Sequence, residues 1–120
     1  PHQHLQRDGS NLLFDLYVNF ADASLGTAVE IPTLEGKAKV KIEPGTQAGK
    51  VLRLKGKGLP SVNAYGRGDL LVNINVWTPQ HLSSEEKKLL EKLRESPNFR
   101  PNPGKNDKSF YEKMREFFHS

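Results

Sequence analysis

The sequence predicts a mainly β fold: a small β-sandwich of about five to six strands, with a packed helix and a short C-terminal amphipathic helix. Three observations carry this. Apolar and polar residues alternate with a period of two in several short runs before Pro79. Glycine and proline turn signals separate those runs every few residues. Helical spacing takes over only after Pro79.

The elements follow in order. Residues 1–10 read as the end of a preceding β-domain or a junction, and 11–95 as one β-sandwich domain with its helix. From Leu12 to Phe20, the residues Leu12, Phe14, Leu16, Val18 and Phe20 point to one side, as a strand with one core face requires. Ala21 to Leu25 fit one helical turn, closed by Gly26 at a position that calls for positive φ. A strand over Thr27–Thr33, a tight turn at Leu34-Glu35-Gly36-Lys37 and a strand over Lys37–Glu43 make a hairpin, with Ala38, Val40 and Ile42 inward. Val51–Lys55 is a short strand between glycine-broken loops. Asp69–Trp77 is the longest clean alternation: Leu70, Val72, Ile74 and Val76 face the core, while Leu71, Asn73, Asn75 and Trp77 face outward or toward a second layer.

Ser83 with Glu86 forms a capping-box pattern ahead of Leu89, Leu90 and Leu93, and Ser96-Pro97 stops that helix, which is expected to pack on the sandwich. Residues 96–108 carry three prolines, three asparagines and a glycine, the composition of a linker. Residues 109–120 form the last segment. Ser109 and Glu112 repeat the capping pattern, and at 100° per residue Phe110, Tyr111, Met114, Phe117 and Phe118 share an arc of about 120°. A helix this short is marginal in water and needs a surface for its stripe. Docking in cis and self-association both supply one, and periodicity does not separate them.

Composition excludes several classes of function. The chain has 120 residues, no cysteine and a formal charge of +4. One domain of this length buries a core without disulfides or metal. Without cysteine there is no thiolate zinc site, Cys nucleophile or iron–sulfur cluster. No apolar run approaches the roughly 18 residues of a membrane span. The chain starts at Pro1 and is read as a fragment, and its cysteine usage fits a cytoplasmic origin. Residues 41–68 hold six basic side chains against Glu43 alone. Lys41, Lys50, Arg53, Lys55 and Lys57 are therefore candidate contacts for nucleic acid or an acidic peptide, although such lysines also serve simply to solvate a sheet.

The motif search yields no catalytic constellation. Gly45-Thr46-Gln47-Ala48-Gly49-Lys50-Val51 has one residue too few for a phosphate loop, and Val51 stands where magnesium needs a hydroxyl. Gly56-Lys57-Gly58 lacks the third glycine of a dinucleotide fingerprint. Arg67-Gly68-Asp69 spells an adhesion tripeptide but opens directly into a core strand. His2 and His4 are half of a metal site with no other ligands in view, since His81 and His119 lie in unrelated contexts. Asp15 alternates outward, and Asp69 reads as a turn cap. The six glycines Gly45, Gly49, Gly56, Gly58, Gly66 and Gly68 read as turn and close-packing positions. With Tyr65 as the only aromatic in the basic stretch, stacking on bases has little support. Neither an enzyme nor a cofactor is expected.

Taken in order, Phe20-Ala21-Asp22-Ala23-Ser24-Leu25-Gly26, Ile31-Pro32-Thr33-Leu34-Glu35-Gly36, Gly45-Thr46-Gln47-Ala48-Gly49-Lys50, Leu52-Arg53-Leu54-Lys55-Gly56-Lys57-Gly58 and Gly66-Arg67-Gly68-Asp69-Leu70 resemble the second C-terminal β-domain of the DnaJ family of co-chaperones. The resemblance covers about Arg7 to Leu93, and the tail from Lys108-Ser109-Phe110 onward resembles that family's short dimerisation helix. It implies a homodimer that holds unfolded polypeptides for a DnaK-type heat-shock chaperone, reached through the full-length protein, with no membrane partner and no catalysis of its own. It assigns dimerisation to Phe110, Tyr111, Met114, Phe117 and Phe118. The J-domain with its His-Pro-Asp loop and the cysteine-rich zinc region are not in this chain. The alternative is a basic β-sandwich that binds nucleic acid or an acidic peptide.

Overall fold

The computed structural model describes residues 5–60, 66–104 and 109–119. His2, His4, Tyr65, Ser120 and the linker residues 105–108 lie outside them. The chain falls into two compact units, Pro1–Gln80 and His81–Ser120.

The first unit is the β-sandwich. Its strands are β1 (Leu5–Asp8), β2 (Asn11–Asn19), β3 (Thr27–Thr33), β4 (Gly36–Ile42), β5 (Val51–Leu54) and β6 (Leu70–Trp77), with one helix, α1 (Phe20–Leu25), between β2 and β3. A four-stranded sheet runs in the order β1-β2-β6-β5, and β3 and β4 form a separate two-stranded sheet. All but one of the pairings are antiparallel: β2 and β6 run parallel, with Leu12 opposite Leu70 and Val18 opposite Val76. Alternation predicted both strands but not their direction, because residue periodicity is the same for either.

The inward positions form one core. Leu12, Phe14 and Val18 of β2 and Leu70, Val72 and Ile74 of β6 meet Ile31 of β3, Val40 and Ile42 of β4, and Ala23 of α1. Each large side chain buried this way contributes roughly 1.5–3 kcal/mol of transfer free energy. Leu5, Leu52, Leu54 and Leu59 pack against the edges of this cluster.

Local chemistry explains the boundaries. The alternation of β2 stops at Asn19 because that residue caps α1, its Oδ1 accepting the Asp22 N–H at 2.7 Å. Phe20, an inward strand residue by alternation, is instead the first helical residue. Gly26 ends α1 with φ +86, as its position after the helix predicted, and a Cβ there would sit 3.0 Å from Pro44. β1 is a strand that periodicity did not reveal: in Leu5-Gln6-Arg7-Asp8 only Leu5 is apolar, and the segment is defined by its pairing with β2.

The second unit contains α2 (Ser84–Arg94), a single 3-10 turn at Pro97–Phe99 and α3 (Phe110–His119). The capping box predicted at Ser83 is complete: Ser83 N–H donates to Glu86 Oε1 at 2.7 Å, and Glu86 N–H donates to Ser83 Oγ at 3.2 Å. Accepting from the Ser83 backbone N–H, and secondarily from its hydroxyl, holds the Glu86 carboxyl below its usual range. Neither α2 nor α3 contains a buried residue.

Candidate functional site: an aromatic helix and an open sheet face

α3 starts where the sequence places it. Ser109 Oγ accepts the Glu112 N–H at 3.1 Å, and Lys113 N–H returns to Ser109 O at 3.0 Å. With the start fixed, the helical period sets Phe110, Tyr111, Met114, Phe117 and Phe118 on one side. Phe110 is 77% exposed, Tyr111 69%, Phe117 63% and Phe118 77%, and Met114 is half-buried among them. The Phe117 and Phe118 rings stack with centroids 5.3 Å apart, and the Arg115 guanidinium lies 5.9 Å from the Tyr111 ring. By the same period Lys113 and Arg115 border the stripe on either side, and Glu112, Glu116 and His119 occupy the back of the helix. Four exposed aromatic rings on ten residues form an apolar surface of the kind that marks an interaction site.

The predicted basic contacts divide between the sheets. Lys41 lies on β4 and pairs with Glu43 at 3.6 Å. Arg53 lies on β5 and pairs with Asp69 at 3.4 Å. Lys50 and Lys55 flank β5 on either side, and Lys57 follows in the next loop. Four of the five thus lie on β5 or within three residues of it, while Lys41 belongs to the other sheet.

The remaining motif residues serve the fold. Backbone amides of the 45–49 loop donate within the chain, Gly45 to Ala23 O at 2.8 Å and Gly49 to Ile74 O at 2.8 Å. Asp69 caps a turn as predicted, its Oδ1 accepting the Gly56 N–H at 3.0 Å. Arg67 donates to Gly58 O at 3.2 Å and reaches Glu35 of the β3–β4 turn at 3.2 Å, so both charged residues of the adhesion-like tripeptide are engaged within the chain. Gly58 and Gly68 are close-packing positions: a Cβ on Gly58 would lie 2.6 Å from Ser10 O, and one on Gly68 would collide with the Ser10 backbone. Among the described residues no group of His, Cys, Asp and Glu is placed to hold a metal, and no helix is long and apolar enough to cross a membrane.

Sequence reasoning did not identify the outward face of the four-stranded sheet as a site. The register sets Gln6, Leu13, Leu71 and Arg53 in one row across it, and Asp15, Asn73 and Val51 in the next. Between the rows is a groove of about 240 Å³. Asp15 Oδ1 accepts from Asn73 Nδ2 at 3.0 Å and from Asn75 Nδ2 at 3.2 Å, forming a polar wall. Farther along the same face are Tyr17 (54% exposed) and Trp77 (50%). The signal in the sequence was two leucines, Leu13 and Leu71, at positions where a solvated face takes polar residues.

Comparison with known proteins adds the following. Residues 1–79 match the family model described as the DnaJ C terminal domain. A protein of Bacteroides fragilis named Chaperone protein DnaJ is 58% identical over 118 residues, covering 98% of this chain and 30% of its own length. Proteins of the same name from Bacteroides thetaiotaomicron and Salinibacter ruber are 55% and 46% identical, again over 98% of this chain. The chain thus spans about 30% of the length of the curated relatives it matches.

Proposed function

This chain belongs to the DnaJ family through that family's C-terminal domain, and from that membership we propose that it acts as the dimerisation module of a cytoplasmic co-chaperone that holds unfolded polypeptides for a DnaK-type chaperone. The role is one of binding, without catalysis. The observation that carries it is the aromatic stripe of α3: Phe110, Tyr111, Phe117 and Phe118 stay exposed although burial of such rings is the main stabilisation a short helix can gain. A second copy of the chain supplies the missing surface. Two protomers joined this way grip one client chain at two points, which raises its effective concentration at the second site.

Sedimentation equilibrium tests this. The full chain is expected to be dimeric at micromolar concentration, and a version ending at Gly104 monomeric with its sandwich intact, because every core residue lies between Leu5 and Val76. Two monomeric species would remove the dimerisation role from α3. The nucleic-acid alternative predicts a different observable, binding to a polyanion that weakens steeply with salt, whereas association through the aromatic stripe changes little.

A further inference from the structure

Met114 is the one methionine of the chain, and with no cysteine present its thioether is the one sulfur atom in all 120 residues. It stands at the centre of the α3 stripe. By the helical period Phe110 and Tyr111 lie four and three residues before it on the same side, and Phe117 and Phe118 three and four residues after it. Whatever covers the stripe therefore covers Met114 as well. In a single chain this side chain is only half-buried, beside rings that are 63% to 77% exposed, so water and small solutes reach it. A thioether suits such a surface, because it is flexible and makes favourable sulfur–ring contacts. It also brings a reactivity that an aliphatic side chain of similar size lacks: in a chain without thiols, the thioether is the group that a hydroperoxide oxidises first.

We propose that Met114 is an oxidation site whose sulfoxide releases the α3 contact between two protomers, so that self-association is reversibly redox-sensitive. The sulfur attacks one oxygen of a hydroperoxide: an S–O bond forms, the O–O bond breaks, and water or an alcohol leaves. The thioether is thereby oxidised by two electrons and the peroxide reduced by two. The product places a polar oxygen in the middle of the apolar stripe, and in a two-fold pair it does so twice. Covering that oxygen with rings removes the water that would otherwise donate to it, which opposes association. Association in turn shields the sulfur, so oxidation and dimerisation work against each other. This rests on the reading of α3 as the dimerisation helix and adds how that contact is regulated.

The test treats the full chain with hydrogen peroxide, locates the added oxygen by mass spectrometry of its proteolytic peptides, and follows association by sedimentation equilibrium. One oxygen is expected on the peptide that holds Met114, gained more slowly as protein concentration rises. The oxidised chain is expected to dimerise roughly tenfold or more weakly than the untreated one. Dithiothreitol with the two methionine sulfoxide reductases, one for each sulfoxide epimer, is expected to restore the dimer. Met114→Leu is expected to remain dimeric with and without peroxide. An oxidised chain that dimerises as tightly as before, a Met114 that peroxide leaves unmodified, a loss of dimer that the reductases do not reverse, or an equal loss in Met114→Leu overturns the inference and leaves the dimerisation role standing. If the untreated chain is monomeric at every concentration, the dimerisation role fails and the inference falls with it.

Discussion

Ile74 has no exposed surface and lies opposite Leu16 at the centre of the β2–β6 pair, so Ile74→Ala leaves a cavity that neighbours from both sheets would have to fill. The expected cost is about 2–5 kcal/mol, read as a lower urea midpoint with little change in slope. Gly68→Ala costs through the opposite error. Its new methyl meets the Ser10 backbone, which cannot swing aside as a side chain would, and a loss of about 1–3 kcal/mol is expected in the same assay. Residue chemistry alone identified this position as one for turning or close packing, and Asp69 as a turn cap. It did not show that the Asn11 side chain reaches over to accept the Asp69 N–H at 2.8 Å, because that bond joins residues 58 apart in sequence.

Among the elements, α2 gives the clearest pH prediction. Its Glu86 carboxyl is held below the ordinary value of 4.5 by the Ser83 N–H and hydroxyl, so the carboxylate form supports the helix start. That support is fully present above the ordinary value and is lost as pH falls through the lowered one. Helical circular dichroism of the full chain is expected to drop across that acid window, and Glu86→Gln to flatten the drop. Caps and alternation are local signals, which is why β2 to β6 and all three helices were legible within a residue or two. β1 was not, since its four residues hold one apolar side chain and its strand character comes from β2. The two candidate surfaces differ in the same way. The stripe of α3 lies within one helical period and could be read directly, whereas the sheet groove exists only once the register brings Gln6, Leu13 and Leu71 into one row.

For the molecule as a whole, stability is distributed unevenly. Among the described residues all buried apolar side chains belong to the first unit, and α2 and α3 bury none. Amide exchange is therefore expected to be slowest in β2 and β6 and fast in both helices, with α3 alone gaining protection as protein concentration rises if it mediates dimerisation. The parallel pairing of β2 with β6 has a further consequence, in time rather than in space. Leu12 and Leu70 are joined by the whole stretch of chain that holds α1, the β3–β4 hairpin and β5, so the central pair of the sheet is also its longest loop closure, and such closures slow folding. During synthesis, β2 leaves the ribosome well before its partner and must wait with Leu12, Phe14 and Val18 uncovered, an apolar strand exposed to the same misassociation that threatens any nascent chain. Until β6 arrives, the newly made domain is a chain with part of its future core in water.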